Sequence, residues 1–241
     1  MDPQQKAVAE EFDQYAVSYD GVVNEALGFT RLKVDAFVEA KAEHILRSLQ
    51  GHFGRSQELA VLDLGCGIGN YHDYFRGRFR RLVGADVSQS CVDQARRLRP
   101  DVEYIAYDGV TLPLEAGSFD MVYAICVLHH VPRATWSGFI SEMRRMLRPG
   151  GLALIYEHNP YNPLTMKVVN SCPFDADAVL VKPAIARTLL KDAGFAQVTT
   201  RSILTFPPLK LPVIATALER ADRLVGRLPF GTQYCARGTV E

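Results

Sequence analysis

Glycine occupies every second position of Gly65-Cys66-Gly67-Ile68-Gly69, directly after the mostly apolar stretch Val61-Leu62-Asp63-Leu64. An apolar run that then loses side chains at alternate positions reads as a buried strand opening into a turn, where a ligand can lie against bare main chain. Two ligand classes suit such a turn. A dinucleotide asks for G-x-G-x-x-G, which seats its pyrophosphate on the N-terminus of the following helix. Here the spacing is G-x-G-x-G with Asn70 next, and the Asp63 carboxylate beside the turn would repel a pyrophosphate and attract an ammonium group. A nucleoside that carries a cationic amine and no phosphate meets both conditions, and S-adenosylmethionine is such a compound.

Two further acids stand where a nucleoside would need them. Asp86 closes Val83-Gly84-Ala85-Asp86-Val87-Ser88, about twenty residues past the first glycine, a position from which a carboxylate accepts both ribose hydroxyls. That geometry would serve NAD equally, so a nicotinamide-dependent oxidoreductase stays open. Asp108 follows the next apolar run, placed to accept from an adenine amino group, with Gly109 allowing close approach. Histidines supply the proton-transfer candidates: His129, His130 and the Glu157-His158 pair. The loop Asn159-Pro160-Tyr161-Asn162-Pro163 reads as a stiff polar wall for an acceptor. No metal site is expected, because sequence neighbours such as His129 and His130 splay apart on a helix and no carboxylate–histidine spacing repeats. Cys66 matters in the glycine turn for its size rather than its thiol.

These residues need a scaffold, and the hydrophobic pattern predicts one. Residues 1–50 read as helical, one segment to about Asp20 and a second from Thr30 to Leu49. Strands are predicted at Leu59–Leu64, Arg81–Asp86, Val102–Tyr107, Phe119–Cys126 and Leu152–Glu157. Helices are predicted near Asn70–Arg78, from a Ser88 cap to Arg99, and from Ala134 to Leu147. Strands alternating with helices imply βαβ units, a parallel sheet covered on both faces, and ligands beyond the carboxyl ends of the strands. Farther on, Pro183–Ala193 reads as a helix, and Ala196–Thr205 and Thr232–Val240 as strands of the same sheet. The stripe from Val213 to Leu228 reads as an amphipathic helix, with Arg220, Arg223 and Arg227 opposite its apolar face.

The chain has 241 residues, 48% hydrophobic and 22% charged, enough for one generous α/β domain. Lys+Arg and Asp+Glu are 27 each, so the long-range field of a general nucleic-acid binder is missing, and the arginine clusters read as solvated helix ends. Five scattered cysteines form no C-x-x-C, which argues against a disulfide framework or zinc ribbon and for a reducing compartment. No apolar run reaches the ~18–20 residues of a membrane span. The opening MDPQQKAVAEEFDQ lacks the order of a signal peptide, so a cytoplasmic protein is expected.

Taken together, Asp63–Gly69, Asp86, Tyr107-Asp108-Gly109, Leu112-Pro113-Leu114, Ser118-Phe119-Asp120-Met121-Val122, Leu128-His129-His130-Val131 and Leu147-Arg148-Pro149-Gly150-Gly151 resemble the class I S-adenosylmethionine-dependent methyltransferases. Within them the chain is similar to the type 11 domain of the ubiquinone/menaquinone-biosynthesis enzymes, specifically from about residue 59 to 157. The resemblance implies a three-layer αβα sandwich on a seven-stranded, mostly parallel sheet with an antiparallel last strand. It implies one domain over 1–241: a helical lid at 1–50, a cofactor-binding core at 59–157, and an acceptor loop and sheet-closing region at 158–241. It also implies backbone contacts from Gly65, Gly67 and Gly69 to the methionine part, Asp63 near its ammonium, and Asp86 with Val87 at the ribose. Asp108 and Gly109 would meet adenine, Ala124 and Ile125 would pass beneath the methionine, and Tyr19 would touch the ligand from the lid. The resemblance does not carry over the acceptor side; from their own positions after the strand ends, His129, His158 and Tyr161 are expected to face the acceptor. The expected activity is methyl transfer to a small molecule at oxygen or carbon, leaving S-adenosylhomocysteine, by a monomer or homodimer that takes no nucleic acid and inserts in no membrane. A non-catalytic protein that binds the same ligand is the other alternative.

Overall fold

The computed structural model describes residues 3–15, 19–27, 34–175, 178–205 and 228–241. Seven strands form one sheet: β1 Ala60–Leu64, β2 Arg81–Asp86, β3 Glu103–Ala106, β4 Phe119–Ile125, β5 Leu147–His158, β6 Ala196–Ile203 and β7 Gln233–Thr239. Their order is β3-β2-β1-β4-β5-β7-β6. Strands β1 to β5 pair in parallel, and β7 runs antiparallel to both β5 and β6. This is the mostly parallel, antiparallel-closing sheet expected of the resemblance.

Every residue of β1 and β4 is buried, as in a sheet covered on both faces, and alternate side chains feed two cores. Leu62, Leu64, Val122, Ala124 and Ile155 pack against Phe139, Ile140 and Met143 of α5 (Trp136–Met146) and Ala186 and Leu190 of α7 (Pro183–Asp192). Val61, Met121, Tyr123, Leu154 and Tyr156 pack on the other face against Ala42, Ile45 and Leu49 of α3 (Val34–Phe53). The N-terminal helical region therefore divides. Helix α3 is a layer of the core, whereas α1 (Pro3–Tyr15) and α2 (Tyr19–Ala26) lie before it.

Helix α4 (Gln89–Leu98) starts as its sequence predicts, with the Ser88 hydroxyl accepting from the Cys91 N–H at 3.0 Å. Asp13 of α1 docks there too: its Oδ1 accepts from the Ser88 hydroxyl at 2.5 Å and from the Ser90 N–H at 3.1 Å, a carboxylate at a positive helix end. The helix predicted near Asn70–Arg78 is instead a single 3-10 turn, His72–Phe75. Positive φ at Gly69 and Gly77 breaks the chain on either side, and His72 is drawn fully inward. Helix α5 ends at Met146, and Pro149-Gly150-Gly151 lies inside β5, which already pairs from Leu147 with Phe119. Helix α6 (Pro163–Val169) follows β5, capped by Asn162, whose Oδ1 accepts from the Leu164 and Thr165 N–H groups. Among the described residues no helix is long and apolar enough to cross a membrane. Residues 213–227 of the expected amphipathic stripe lie outside the described residues.

Candidate functional site

A cavity of about 660 Å³ opens beyond the carboxyl ends of β1, β2, β4 and β5, with α1, α3 and α6 contributing to its walls. One end is the glycine turn. The N–H groups of Gly65 and Cys66 both donate to the Ala85 carbonyl, at 2.7 and 3.1 Å, which pins the turn onto β2. Gly65 has φ +83, and a Cβ there would meet the Val127 side chain, Cγ1 at 2.6 Å and Cγ2 closer still, so only glycine fits. Asp86 ties the other side of the turn: its Oδ2 accepts from the Gly67 N–H at 2.7 Å and its Oδ1 from the Ser88 N–H at 2.9 Å. Burial raises the Asp86 pKa, and these two amides pull against that rise. Behind the turn, Asp63 is buried and bonded to His72 Nε2 at 3.0 Å, while His72 Nδ1 meets the Tyr104 hydroxyl at 2.7 Å.

Asp63, Gly65, Cys66, Gly67, Asp86, Val87 and Ile125 all line the cavity. Gly69 and Ala124 do not; Gly69 stands against the Tyr104 ring, and Ala124 joins the core under α5. Tyr19 opens α2, and its side chain lies outside what is described. Asp108, expected at adenine, bonds its own turn. That side chain is exposed and off the cavity wall, and its Oδ1 accepts from the Val110 and Thr111 N–H groups at 2.9 and 3.0 Å, which lowers its pKa. A short acid in a tight turn bonds its own backbone first. The neighbouring Gly109 carbonyl accepts from Gln5 Nε2 at 2.7 Å, and Gln5, a residue of α1, lines the cavity where adenine was expected to meet the third strand's loop.

The residues expected on the acceptor side divide. Tyr161 is 57% exposed and off the wall. Its loop serves the sheet instead: Asn159, buried, donates through Nδ2 to the carbonyls of Pro229 and Gly231 at 3.0 and 2.7 Å, and Asn162 donates to Phe230 at 2.8 Å. His129 and His158 do line the cavity, their rings 5.2 Å apart. His129 and His130 do not splay apart, because they sit in consecutive turns rather than a helix, with His130 N–H donating to Val127 and Val131 N–H to Leu128; their ring centroids are 4.1 Å apart. His129 Nδ1 bonds Glu157 Oε2 at 2.5 Å, and Glu157 Oε1 accepts from the Leu128 N–H at 2.8 Å. Burial works against charge on His129, yet Glu157 and Asp175 raise its pKa well above the usual imidazole value. Burial and the charge of His129 push His130 and His158 each down to about 4.

Two cavity residues carried no signal in the sequence. Asp175 ends the 3-10 turn Pro173–Asp175, buried beside His129 and His130, and no spacing links it to them. Lys41 comes from α3, where its neighbours are core residues. It is 6% exposed, its ammonium stands 5.5 Å from the centre of the Tyr71 ring, and no hydrogen bond or ion pair to it is made among the described residues. Burial lowers its pKa, with the carboxylate of Glu157 among the groups pulling the other way. A lone cation on a mostly apolar wall is a ready partner for an anionic group of a ligand.

Residues 62–155 match a family described as "Methyltransferase domain". An uncharacterized methyltransferase of Synechocystis is 35% identical over 103 residues, covering 42% of this chain and 49% of that protein. The demethylmenaquinone methyltransferase of Beutenbergia cavernae is 32% identical over 167 residues, covering 68% of this chain and 63% of that one. A mouse tRNA (carboxymethyluridine(34)-5-O)-methyltransferase is 36% identical over 97 residues, 40% of this chain and 14% of that one. The chain thus spans less than two thirds of each of these relatives. Among solved structures, a putative methyltransferase of Haloferax volcanii in complex with the Trm112 activator superposes with TM-score 0.63 at 22% identity, over 95% of this chain and 97% of that chain. The trans-methyltransferase CalH, solved with S-adenosylhomocysteine, superposes with TM-score 0.56 at 24% identity, over 76% of this chain and 52% of that chain.

Proposed function

Since residues 62–155 are a class I, S-adenosylmethionine-dependent methyltransferase domain, we propose that the chain methylates a small, largely apolar molecule at oxygen or carbon. The observation that carries this reading is the continuity of the cavity, from the glycine turn and Asp86 at one end to His129, His158 and the apolar residues Phe12, Phe37 and Phe139. At about 660 Å³ it has the size of a small-ligand site. Bound in it, the sulfonium supplies a methyl group already activated for in-line displacement.

The chain's part is to bind, orient and exclude water. Main chain at Gly65 and Gly67 offers a surface without side chains for the amino-acid tail, Asp63 a carboxylate for its ammonium, and Asp86 acceptors for the ribose hydroxyls. Lys41 is the cation for the tail's carboxylate. Helix α1, docked through Asp13 and Gln5, closes the nucleoside side of the cavity. Holding acceptor, methyl and sulfur in line can contribute ~7–11 kcal/mol.

Lys41→Met tests the assignment of the tail. S-adenosylhomocysteine should bind about tenfold more weakly, some 1.4 kcal/mol. Methylthioadenosine, which has no carboxylate, should bind as before, and Tm should hold or rise because an unpaired buried charge is gone. Equal loss for both ligands would remove Lys41 from that role. The acceptor class is tested with donor labelled in the methyl group, offered to tRNA and to a panel of apolar hydroxylated compounds and quinols. Label is expected in the small-molecule fraction. Label confined to tRNA would favour the activity named for the mouse relative. Thermal protection by NAD(H) and not by S-adenosylhomocysteine would favour an oxidoreductase, and ligand binding with no transfer at all a non-catalytic protein.

A further inference from the structure

His129, His130 and Asp175 meet at the cavity wall with their donor atoms within 4.8 Å of one another. Asp175 Oδ1 is buried and accepts no hydrogen bond, although it lies 3.4 Å from His129 Nε2 and 3.3 Å from His130 Nε2. Those separations are long for a hydrogen bond. They match two edges of another figure, since donor atoms about 2.0–2.1 Å from a tetrahedral zinc ion stand about 3.3–3.4 Å apart, and the third pair, within 4.8 Å, would draw together on the ion. The remaining nitrogen of His129 is already engaged, since Nδ1 bonds Glu157 Oε2 at 2.5 Å and Glu157 is itself fixed by the Leu128 N–H. A carboxylate holding the far nitrogen of an imidazole orients the near one as a ligand, the usual outer shell of a histidine-bound metal.

We propose that His129, His130 and Asp175 bind a divalent transition-metal ion. Two imidazoles and one carboxylate favour a borderline ion such as Zn²⁺ or Co²⁺ over Mg²⁺ or Ca²⁺, which prefer oxygen ligands throughout. Three protein ligands leave a fourth position, and the cavity wall puts it on the acceptor side. There the ion would hold an oxygen of the acceptor and lower its pKa, the proton passing to the neutral imidazole of His158 on the same wall, so that the attacking oxyanion forms at neutral pH. Only this last use rests on the methyl-transfer reading; the site itself does not.

The full chain, stripped with a chelator, is dialysed against Zn²⁺ and, separately, Co²⁺. The wild type should retain one zinc ion per chain, and the cobalt form should show the intense visible absorption of a four-coordinate ion. His130→Ala and Asp175→Asn should abolish both, while Glu157→Gln should weaken affinity about 10- to 100-fold, as loss of an outer-shell partner does. Wild-type protein that retains no metal, or a cobalt form without four-coordinate absorption, would overturn the site without any need of variants. Equal retention by wild type and folded His130→Ala would mark binding elsewhere on the surface and overturn it too. S-adenosylhomocysteine affinity, measured on the same wild-type samples, reports the methyltransferase reading separately.

Discussion

Asp86→Ala should weaken S-adenosylhomocysteine binding by roughly tenfold to 150-fold, the effect of 1.5–3 kcal/mol for hydrogen bonds to a charged group. The structure adds a second consequence. Asp86 also holds the Gly67 and Ser88 amides, so its removal frees the turn that forms the floor of the cavity. Each lost bond is worth about 0.5–1.5 kcal/mol, and Tm should fall without loss of the fold. Asp86→Asn should fall between wild type and Asp86→Ala in Tm, because its single amide oxygen can still accept from one of the Gly67 and Ser88 N–H groups while it offers no charge to the ribose. Calorimetry with S-adenosylhomocysteine and thermal melts of both variants give the measurement. Unchanged affinity in Asp86→Ala would place the ribose elsewhere.

Gly65→Ala should be at least as damaging. Its φ of +83 is costly for any residue with a Cβ, about 1–2 kcal/mol, and the new methyl would overlap both methyls of Val127. Forcing an extra methyl into such a contact costs about 1–3 kcal/mol more. Val127 lines the cavity, so its displacement reaches the ligand as well as the fold. Gly67→Ala is the control: it also has positive φ, at +52, but a Cβ there meets nothing within 4 Å. Adding Val127→Ala to Gly65→Ala should recover the overlap cost and leave the backbone cost, which a double-mutant cycle in Tm resolves. Equal Tm losses for Gly65→Ala and Gly67→Ala would show that Val127 yields freely.

The sheet and the glycine-turn end of the cavity were legible in the sequence because both are written in local patterns. A strand buried on both faces is a continuous apolar run, and β1, β2 and β4 lie within a residue of where such runs predict them. Gly65 and Asp86 are legible for the same reason: a turn after a strand and an acid at the next strand's end are short-range features. Local pattern misled where two local outcomes compete. Asp108 can face a ligand or bond its own turn, and the path of the chain after β3 gives its Oδ1 the second of these. The His129-His130 pair was misjudged because its spacing says nothing unless the backbone is known, and turns bring together rings that a helix would separate.

Asp175, Lys41 and Gln5 reach the cavity from segments far from the glycine turn in sequence. Their positions follow from how α1, α3 and the chain after α6 dock on the sheet. Periodicity tells which face of an element is buried, but which partner it meets there is a tertiary property. The alternation of strand and helix was therefore enough to determine the fold and the edge of the sheet at which the cavity opens. Which charges face the far half of the cavity was decided only when helices separated by a hundred residues or more packed over the same strand ends.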